Sequence, residues 1–428
     1  MFNENVFKSY DIRGLYGSEI NLDLTKKLAN AVKVIFKPKT VVIGYDMRLS
    51  SKEIFSVLCN EFILLGVSVN DIGLVTTPML NFAVANKLGD MGIMISASHN
   101  PKEYNAFKII GPGPLQIGRD TGLSDIKKAI MDNIKSNNAV TKGKYLQCSV
   151  LNNYIKWILS LVRISNTKKI NVTCDFGNGV GAISALPTYS YFSNIKIKSL
   201  FKIPNGNFPN HTPDPHNLKN FEALKKAVIK NKSDMGIFFD GDADRSYFVD
   251  ETGNIIMQDI LVCLLAEYEL LKNKNSLNKT IYYDLRFSKQ INSVISNNGG
   301  KAVMLKVGNP TYKYNLIHNG GLLAAEFSGH TMYPENFSID DGLFTSLKVL
   351  EILSHSKLSI SNLLKKYKTY NTSEEITLKT AGNKNFNDLI KILKSKFSDY
   401  NELKLDGLYL YNKDKWFNLR KSGTEPVL

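Results

Sequence analysis

Three carboxylates at alternate positions form the strongest chemical signal in this chain, Asp240-Gly241-Asp242-Ala243-Asp244-Arg245. The run follows the apolar stretch Met235–Phe239 and precedes Tyr247-Phe248-Val249. Carboxylates this close repel one another unless a cation sits among them. A calcium loop of the EF-hand type would also begin Asp-x-Asp-x-Asp, and would find Glu251 at its twelfth position. Its sixth position requires Gly, however, and here it is Arg245. A strand in place of the flexible second half points instead to Mg²⁺ on Asp240, Asp242 and Asp244, with open positions for a phosphate.

Other segments carry complementary chemistry. Ser96-Ala97-Ser98-His99-Asn100-Pro101 follows an apolar run, and its small residues let backbone amides approach an anion, with Ser98 presented beside His99. The segment is not a Gly-x-Ser-x-Gly elbow, which argues against a serine hydrolase. Glu326-Phe327-Ser328-Gly329-His330 combines acceptor, donor and titratable groups, a set suited to sugar hydroxyls. Arg420-Lys421-Ser422-Gly423-Thr424-Glu425 offers a guanidinium, two hydroxyls and a glycine, a set suited to a phosphate dianion. Gly177-Asn178-Gly179-Val180-Gly181 superficially fits a dinucleotide turn, but Ile195-Lys196-Ile197-Lys198 stands where the acidic partner would be. His211, His216, His318 and His355 show no metal-ligand spacing, and His318 and His355 read as surface or structural residues. Of the four Cys none is in a Cys-x-x-Cys pair, so all read as small core thiols in a reducing compartment.

The elements that position these groups repeat. Val41–Asp46, Lys169–Asp175 and Thr280–Asp284 are apolar strands ending in Asp, the first followed by helical spacing from Ser51 to Leu65 and by strands at Val67–Val69 and Met91–Ile95. Strands alternating with helices predict parallel pairing, with ligands at the carboxyl ends of the strands. After about residue 370 the pattern changes to a strand (Glu375–Thr380), a helix (Asn385–Phe397) and strands near Gly407–Tyr411 and Trp416–Leu419. Length alone suggests about three domains. The pattern predicts α/β domains over 1–150, 151–251 and 252–368, each with mixed, largely parallel sheets, and a small α+β domain over 369–428. The net charge of +15 invites an anionic partner, but the Lys residues are spread along the chain and no nucleic-acid signature accompanies them, so phosphorylated metabolites are expected and nucleic acid is not. No apolar run is long enough for a membrane helix, and the N-terminus lacks a secretory pattern, so a cytoplasmic protein is expected.

Taken together the motifs resemble the α-D-phosphohexomutase superfamily. The resemblance rests on Tyr10-Asp11-Ile12-Arg13-Gly14, Gly44–Ser50, Ser96–Pro101 with Tyr104-Asn105-Ala106-Phe107-Lys108, Asp240–Arg245, Glu326–His330 and Arg420–Pro426, six segments in the family's order. The Tyr-Asn-x-Phe-Lys continuation and Phe208-Pro209-Asn210-His211-x-Pro213-x-Pro215 are most similar to phosphomannomutase/phosphoglucomutase enzymes. The resemblance implies four domains around a central cleft. It also implies a phosphoserine at Ser98 that exchanges its phosphoryl group with hexose 1- and 6-phosphates through a hexose 1,6-bisphosphate. On the same ground Mg²⁺ is expected on Asp240, Asp242, Asp244 and a phosphoserine oxygen, with Arg245 and Lys108 adding positive charge. Glu326 and Ser328 are expected to hold sugar hydroxyls. Arg420, Ser422, Gly423 and Thr424 would hold the idle phosphate, and Tyr10, Arg13, Arg286 and His330 would line the cleft. Two departures stand out. Lys306-Val307-Gly308-Asn309 puts Asn309 where many relatives have His; Asn cannot move protons, leaving His99 and Lys108 as proton carriers. The chain also ends at Pro426-Val427-Leu428, where relatives add a strand and a helix, so a short last domain is expected. The alternatives are a phosphoglucosamine mutase and a weakly active sugar-phosphate-binding relative.

Overall fold

A computed structural model describes residues 3–367, 370, 373, 376, 378 and 384–421. Four sheets follow one another along the chain. The first has six strands, in the order Ile12–Leu15, Tyr104–Ile110, Met91–Ile95, Thr40–Tyr45, Ser68–Leu74, Tyr145–Gln147. The second has five, Ile255–Ile256, Ser246–Asp250, Met235–Phe239, Ile170–Asp175, Ile195–Leu200. Four make the third, Lys301–Leu305, Thr280–Asp284, Leu323–Ala325, Thr331–Met332.

One plan underlies all three. A central strand (Thr40–Tyr45, Ile170–Asp175, Thr280–Asp284) has a parallel neighbour on each side. One neighbour (Met91–Ile95, Met235–Phe239, Leu323–Ala325) then doubles back into an antiparallel strand through a short loop. Those three loops hold Ser98, Asp240–Arg245 and Glu326–His330. The parallel strands are buried on both faces, as Met91–Ile95 and Met235–Phe239 show, and so read as unbroken apolar runs rather than as alternation. Each central strand leads into a buried Asp, at 46, 175 and 284.

The second sheet runs past residue 251, because Ser246–Asp250 closes a hairpin with Ile255–Ile256; a division at 251 would cut that ladder. Helix Gly342–His355 is buried along nearly its whole length and packs beside both Ser246–Asp250 and helix Gln258–Lys272, joining the second and third units. Its Lys348 ammonium lies in the interior between Glu269 (2.8 Å) and Glu335 (2.5 Å). The last unit pairs Asn401–Leu403, Leu408–Tyr411 and Trp416–Leu419 antiparallel, with helix Lys384–Lys396 preceding them. The first of these strands is an addition to the sequence reading: it is short and mostly exposed, so it carries no apolar signal. Of the expected strand Glu375–Thr380 only Ile376 and Leu378 are among the described residues. Among the described residues no helix is long and apolar enough to cross a membrane.

Candidate active site

Ser98 sits at the junction of the first two units. Its backbone is in the left-handed region, φ 51°, a conformation that costs a non-glycine residue on the order of 1 kcal/mol and turns its side chain toward the neighbouring loop. The Ser98 Oγ donates to Asp240 Oδ2 at 2.8 Å and accepts from Arg245 Nη2 at 2.9 Å. Arg245 also donates from Nε to Asp240 Oδ2 at 3.0 Å, and its Nη2 lies 2.5 Å from His99 Nδ1. Lys108, on the strand returning from the Ser98 loop, places its Nζ 2.6 Å from Asp242 and 2.7 Å from Asp244.

Electrostatics follow from burial. Removal from water raises the Asp240 carboxyl, opposed by Arg245, with Asp244 and Asp242 adding to the rise. At Asp244 burial works in the same direction, but the ammonium of Lys108 and then His330 hold it below the usual range. Burial opposes the charge on Lys108 as well, and the two aspartates overcome it, so Lys108 stays protonated. A permanently charged ammonium shared between two carboxylates supplies charge rather than shuttling protons. His99 is driven well below its ordinary value, first by burial and then by Arg245. Its Nδ1 is already engaged by Arg245, which argues against that nitrogen as a base.

Several groups that hold this junction escaped the sequence reading. The buried Arg48 spends its guanidinium on the Ser98 loop: Nη2 donates to the carbonyls of Ser98 (2.9 Å) and Asn100 (2.6 Å), and Nη1 to those of Pro101 (2.6 Å) and Tyr104 (3.0 Å). Nε returns to Asp46 at 3.1 Å, so the Asp at the end of the central strand aims the arginine. Thr77 donates to Asp242 Oδ2 at 2.5 Å and its backbone N–H to the Asp242 carbonyl at 3.0 Å. Gly241 allows the two loops to touch, since a Cβ there would lie 2.3 Å from the Ser98 carbonyl oxygen. The available signal was the recurrence of Asp-x-Arg: Asp11/Arg13, Asp46/Arg48 and Asp284/Arg286 each form a pair in which the carboxylate orients the guanidinium.

The third loop is built more openly. Glu326 is buried and its carboxyl is raised by desolvation. Its Oε2 accepts from Ser328 Oγ at 3.2 Å, whereas its Oε1 has no hydrogen-bond partner. Gly329 takes φ 91° at the tip, and the Tyr247 hydroxyl from the second unit donates to the Ser328 carbonyl. His330 Nδ1 stands 3.0 Å from Asp340 and 4.0 Å from Asp244, tying this loop toward the carboxylate cluster. Asp340 in turn receives Lys313 at 2.5 Å and the Asn309 amide at 2.6 Å. Asn309 is therefore a buried brace behind His330, with its amide committed to Asp340. Arg286 is held on Asp284 (2.7 Å), and its guanidinium lies 5.7 Å from the Phe327 ring centre. Arg13 bridges Asp11 (2.5 Å) and Asn100 (2.5 Å). The Tyr10 hydroxyl is pushed up to about 12 by burial and by Glu326 and Asp11.

Arg420 directly follows strand Trp416–Leu419 and packs against the turn at Gly407. Ser422, Gly423 and Thr424 lie outside the described residues. Asp240, Asp242 and Asp244 each offer an oxygen within 4.8 Å of the others. Asp242 Oδ1 and Asp244 Oδ1 are buried without a hydrogen-bond partner, as oxygens meant for a cation would be. The all-oxygen donor set fits a hard ion such as Mg²⁺.

This fold of three like α/β units, each presenting a loop of polar and ionisable side chains, is that of the α-D-phosphohexomutases. Comparison with known proteins agrees: the models for phosphoglucomutase/phosphomannomutase α/β/α domains I, II and III match residues 4–138, 152–253 and 257–370. The chain belongs to the phosphoglucomutase/phosphomannomutase family. It is 32% identical over 431 residues to the phosphomannomutase/phosphoglucomutase of Pseudomonas syringae pv. tomato, covering 99% of this chain and 90% of that protein. The phosphomannomutase of Methanocaldococcus jannaschii is 32% identical over 429 residues, with 99% and 92% covered. A crystal structure of a phosphoglucomutase/phosphomannomutase family protein from Burkholderia thailandensis superposes with a TM-score of 0.88 at 30% identity, covering 100% of this chain and 92% of that one.

Proposed function

We propose that this chain interconverts hexose 6-phosphate and hexose 1-phosphate, with mannose or glucose as the sugar, through a phosphoserine at Ser98 and a hexose 1,6-bisphosphate. The observation that carries the reading is the contact of the Ser98 Oγ with Asp240 and Arg245 across two units. In the first half-reaction a sugar hydroxyl attacks the phosphoryl group on Ser98; the new P–O bond forms as the Ser98 Oγ–P bond breaks, and the hydroxyl loses its proton. The second half-reaction reverses this at the other end of the sugar.

The residues divide the work. Arg245 donates to the Ser98 oxygen as it leaves and holds its charge. Lys108 offsets part of the negative charge of Asp242 and Asp244. Asp240, Asp242 and Asp244 would hold Mg²⁺, which supplies charge neutralisation to the moving phosphoryl group. Glu326 and Ser328 accept from and donate to sugar hydroxyls present in both orientations of the bisphosphate. His330, whose charged form Asp244 and Asp340 favour, adds positive charge beside the carboxylate cluster, and the proton of the attacking hydroxyl ends on the departing Ser98 Oγ. Arg13, Arg286 and Tyr10 line the remaining walls, and Arg420 with Ser422, Gly423 and Thr424 would hold the idle phosphate.

A coupled assay with mannose, glucose and glucosamine phosphates side by side, each with a trace of its 1,6-bisphosphate, tests the proposal. Turnover of the mannose or glucose ester is expected, lost on chelation and restored by Mg²⁺. Preference for the glucosamine ester would make the chain a phosphoglucosamine mutase. Binding of the esters with no turnover would leave a sugar-phosphate-binding relative.

A further inference from the structure

We propose a second cation site on this chain, for a zinc-type transition-metal ion, formed by His99, Asp214 and His216. Read along the sequence, His216 has no ligand spacing; the fold assembles the set from two units. His99 comes from the Ser98 loop, and Asp214 and His216 from the segment that packs against it, and one ligand atom from each lies within 4.8 Å of the others. Ligand atoms around a tetrahedral zinc stand roughly 3.4 Å apart, as bond lengths of about 2.1 Å require. The separation to be closed is at most about 1.4 Å, within reach of side-chain rotation, and His216 is exposed.

The local backbone prepares the set. Pro213 and Pro215 flank Asp214 and fix φ on either side. Asp214 Oδ1 accepts the His216 N–H at 3.0 Å, and the Asp214 carbonyl accepts from the Asn220 amide at 2.7 Å. The His99 and His216 rings already meet edge to face, with centroids 5.6 Å apart. Two imidazoles and one carboxylate select zinc, nickel or copper over Mg²⁺, unlike the all-oxygen cluster at Asp240–Asp244. The Arg245 guanidinium beside His99 opposes a cation; Asp214 offsets it, and a phosphoryl group on Ser98, whose Oγ is 3.3 Å from His99 Nδ1, offsets it further. An ion held here ties the Ser98 loop to the second unit and pins His99 beside the reacting oxygen, so it inhibits turnover. That consequence rests on the mutase reading; the binding does not.

The test uses the full chain in saturating Mg²⁺. Zinc is titrated calorimetrically, with Co²⁺ absorption reporting the ligand set, and turnover is measured at each zinc concentration. The wild type should bind one ion that His216→Ala weakens by about 100-fold or more, since even supporting contacts of a metal site are worth up to that factor. Zinc inhibition should shift by the same factor, with turnover in the absence of zinc unchanged. Equal zinc affinity in both proteins, or inhibition that excess Mg²⁺ relieves equally in both, would overturn the site. Zinc binding that depends on His216 but leaves turnover undiminished would overturn its inhibitory role. Absence of turnover without zinc, with the binding difference intact, would count against the mutase reading and not against the site.

Discussion

The junction of the Ser98 and Asp240 loops and the Glu326 loop occupy equivalent places in the three units but are finished differently. At the junction the fixed parts are saturated: the Arg48 guanidinium donates to four carbonyls and Asp46, and Gly241 lets one backbone rest on the other. Among the described residues the junction leaves only the cation-facing oxygens Asp242 Oδ1 and Asp244 Oδ1 without a hydrogen-bond partner, whereas at the Glu326 loop it is Glu326 Oε1, away from that carboxylate trio, that is left unmet. Leaving a buried acceptor unmet costs roughly 1–3 kcal/mol, a cost that a sugar hydroxyl bound as proposed would remove. Under the proposed function, the contrast separates a centre that must hold its geometry from a wall that would complete itself on binding substrate.

The largest effect should come at the reacting oxygen. Ser98→Ala should abolish turnover and leave intact mass without phosphate, while thermal unfolding stays close to wild type; near-normal activity would remove Ser98 from the mechanism. Next, Arg48→Lys tests whether the junction works by geometry. Lysine keeps the charge near Asp46 but cannot brace four carbonyls, so kcat should fall about 100-fold with KM little changed, as a misplacement of about 1 Å can cost. A change in KM alone would show that Arg48 serves substrate binding instead. Glu326→Gln sharpens the other side of the comparison. Charge-assisted bonds of roughly 1.5–3 kcal/mol are lost, so kcat/KM should drop about 10- to 100-fold on every hexose phosphate, with phosphoserine content unchanged. Unchanged efficiency would move the sugar site elsewhere.

The smallest expected effect lies behind the junction, at His211. Burial opposes its charge, but the Asp175 carboxylate 3.2 Å away and the Thr212 carbonyl raise it above its ordinary value. A histidine raised in the folded state contributes stability that is full below its unfolded value near 6.5 and is lost as pH climbs through the folded one. Melting at pH 6 and pH 9 should therefore differ more in the wild type than in His211→Gln, by on the order of a degree or two. Identical pH dependence in both would mean that the pair contributes nothing to stability.

Much of the architecture was legible because buried parallel strands announce themselves. Met91–Ile95, Met235–Phe239 and Thr280–Asp284 have the bounds that the apolar runs suggest. Asn401–Leu403 was not legible, since a short exposed edge strand is defined by backbone pairing and leaves no pattern in its side chains. Of the site, the reactive groups stood out by local chemistry: alternate carboxylates, a serine in a small-residue loop, a glutamate near a histidine. Their supports did not. Arg48 shows in the sequence only as part of a recurring Asp-x-Arg, and Asp340 looks like an ordinary charged residue until the chain folds, because what they hold is distant in sequence.

By itself, then, the sequence determined which segments become strands and which loops carry ionisable and nucleophilic groups, since both depend on neighbours a few residues away. Only the tertiary structure decided which of those groups meet. It put Asp240 against Ser98, gave Lys108 to two aspartates, committed Asn309 to Asp340 and set His216 beside His99. The physical reason is that hydrophobic patterning is local and repeats with the backbone, whereas a hydrogen bond or ion pair depends on angstrom-scale distances between units, fixed by how the sheets and the helices between them pack.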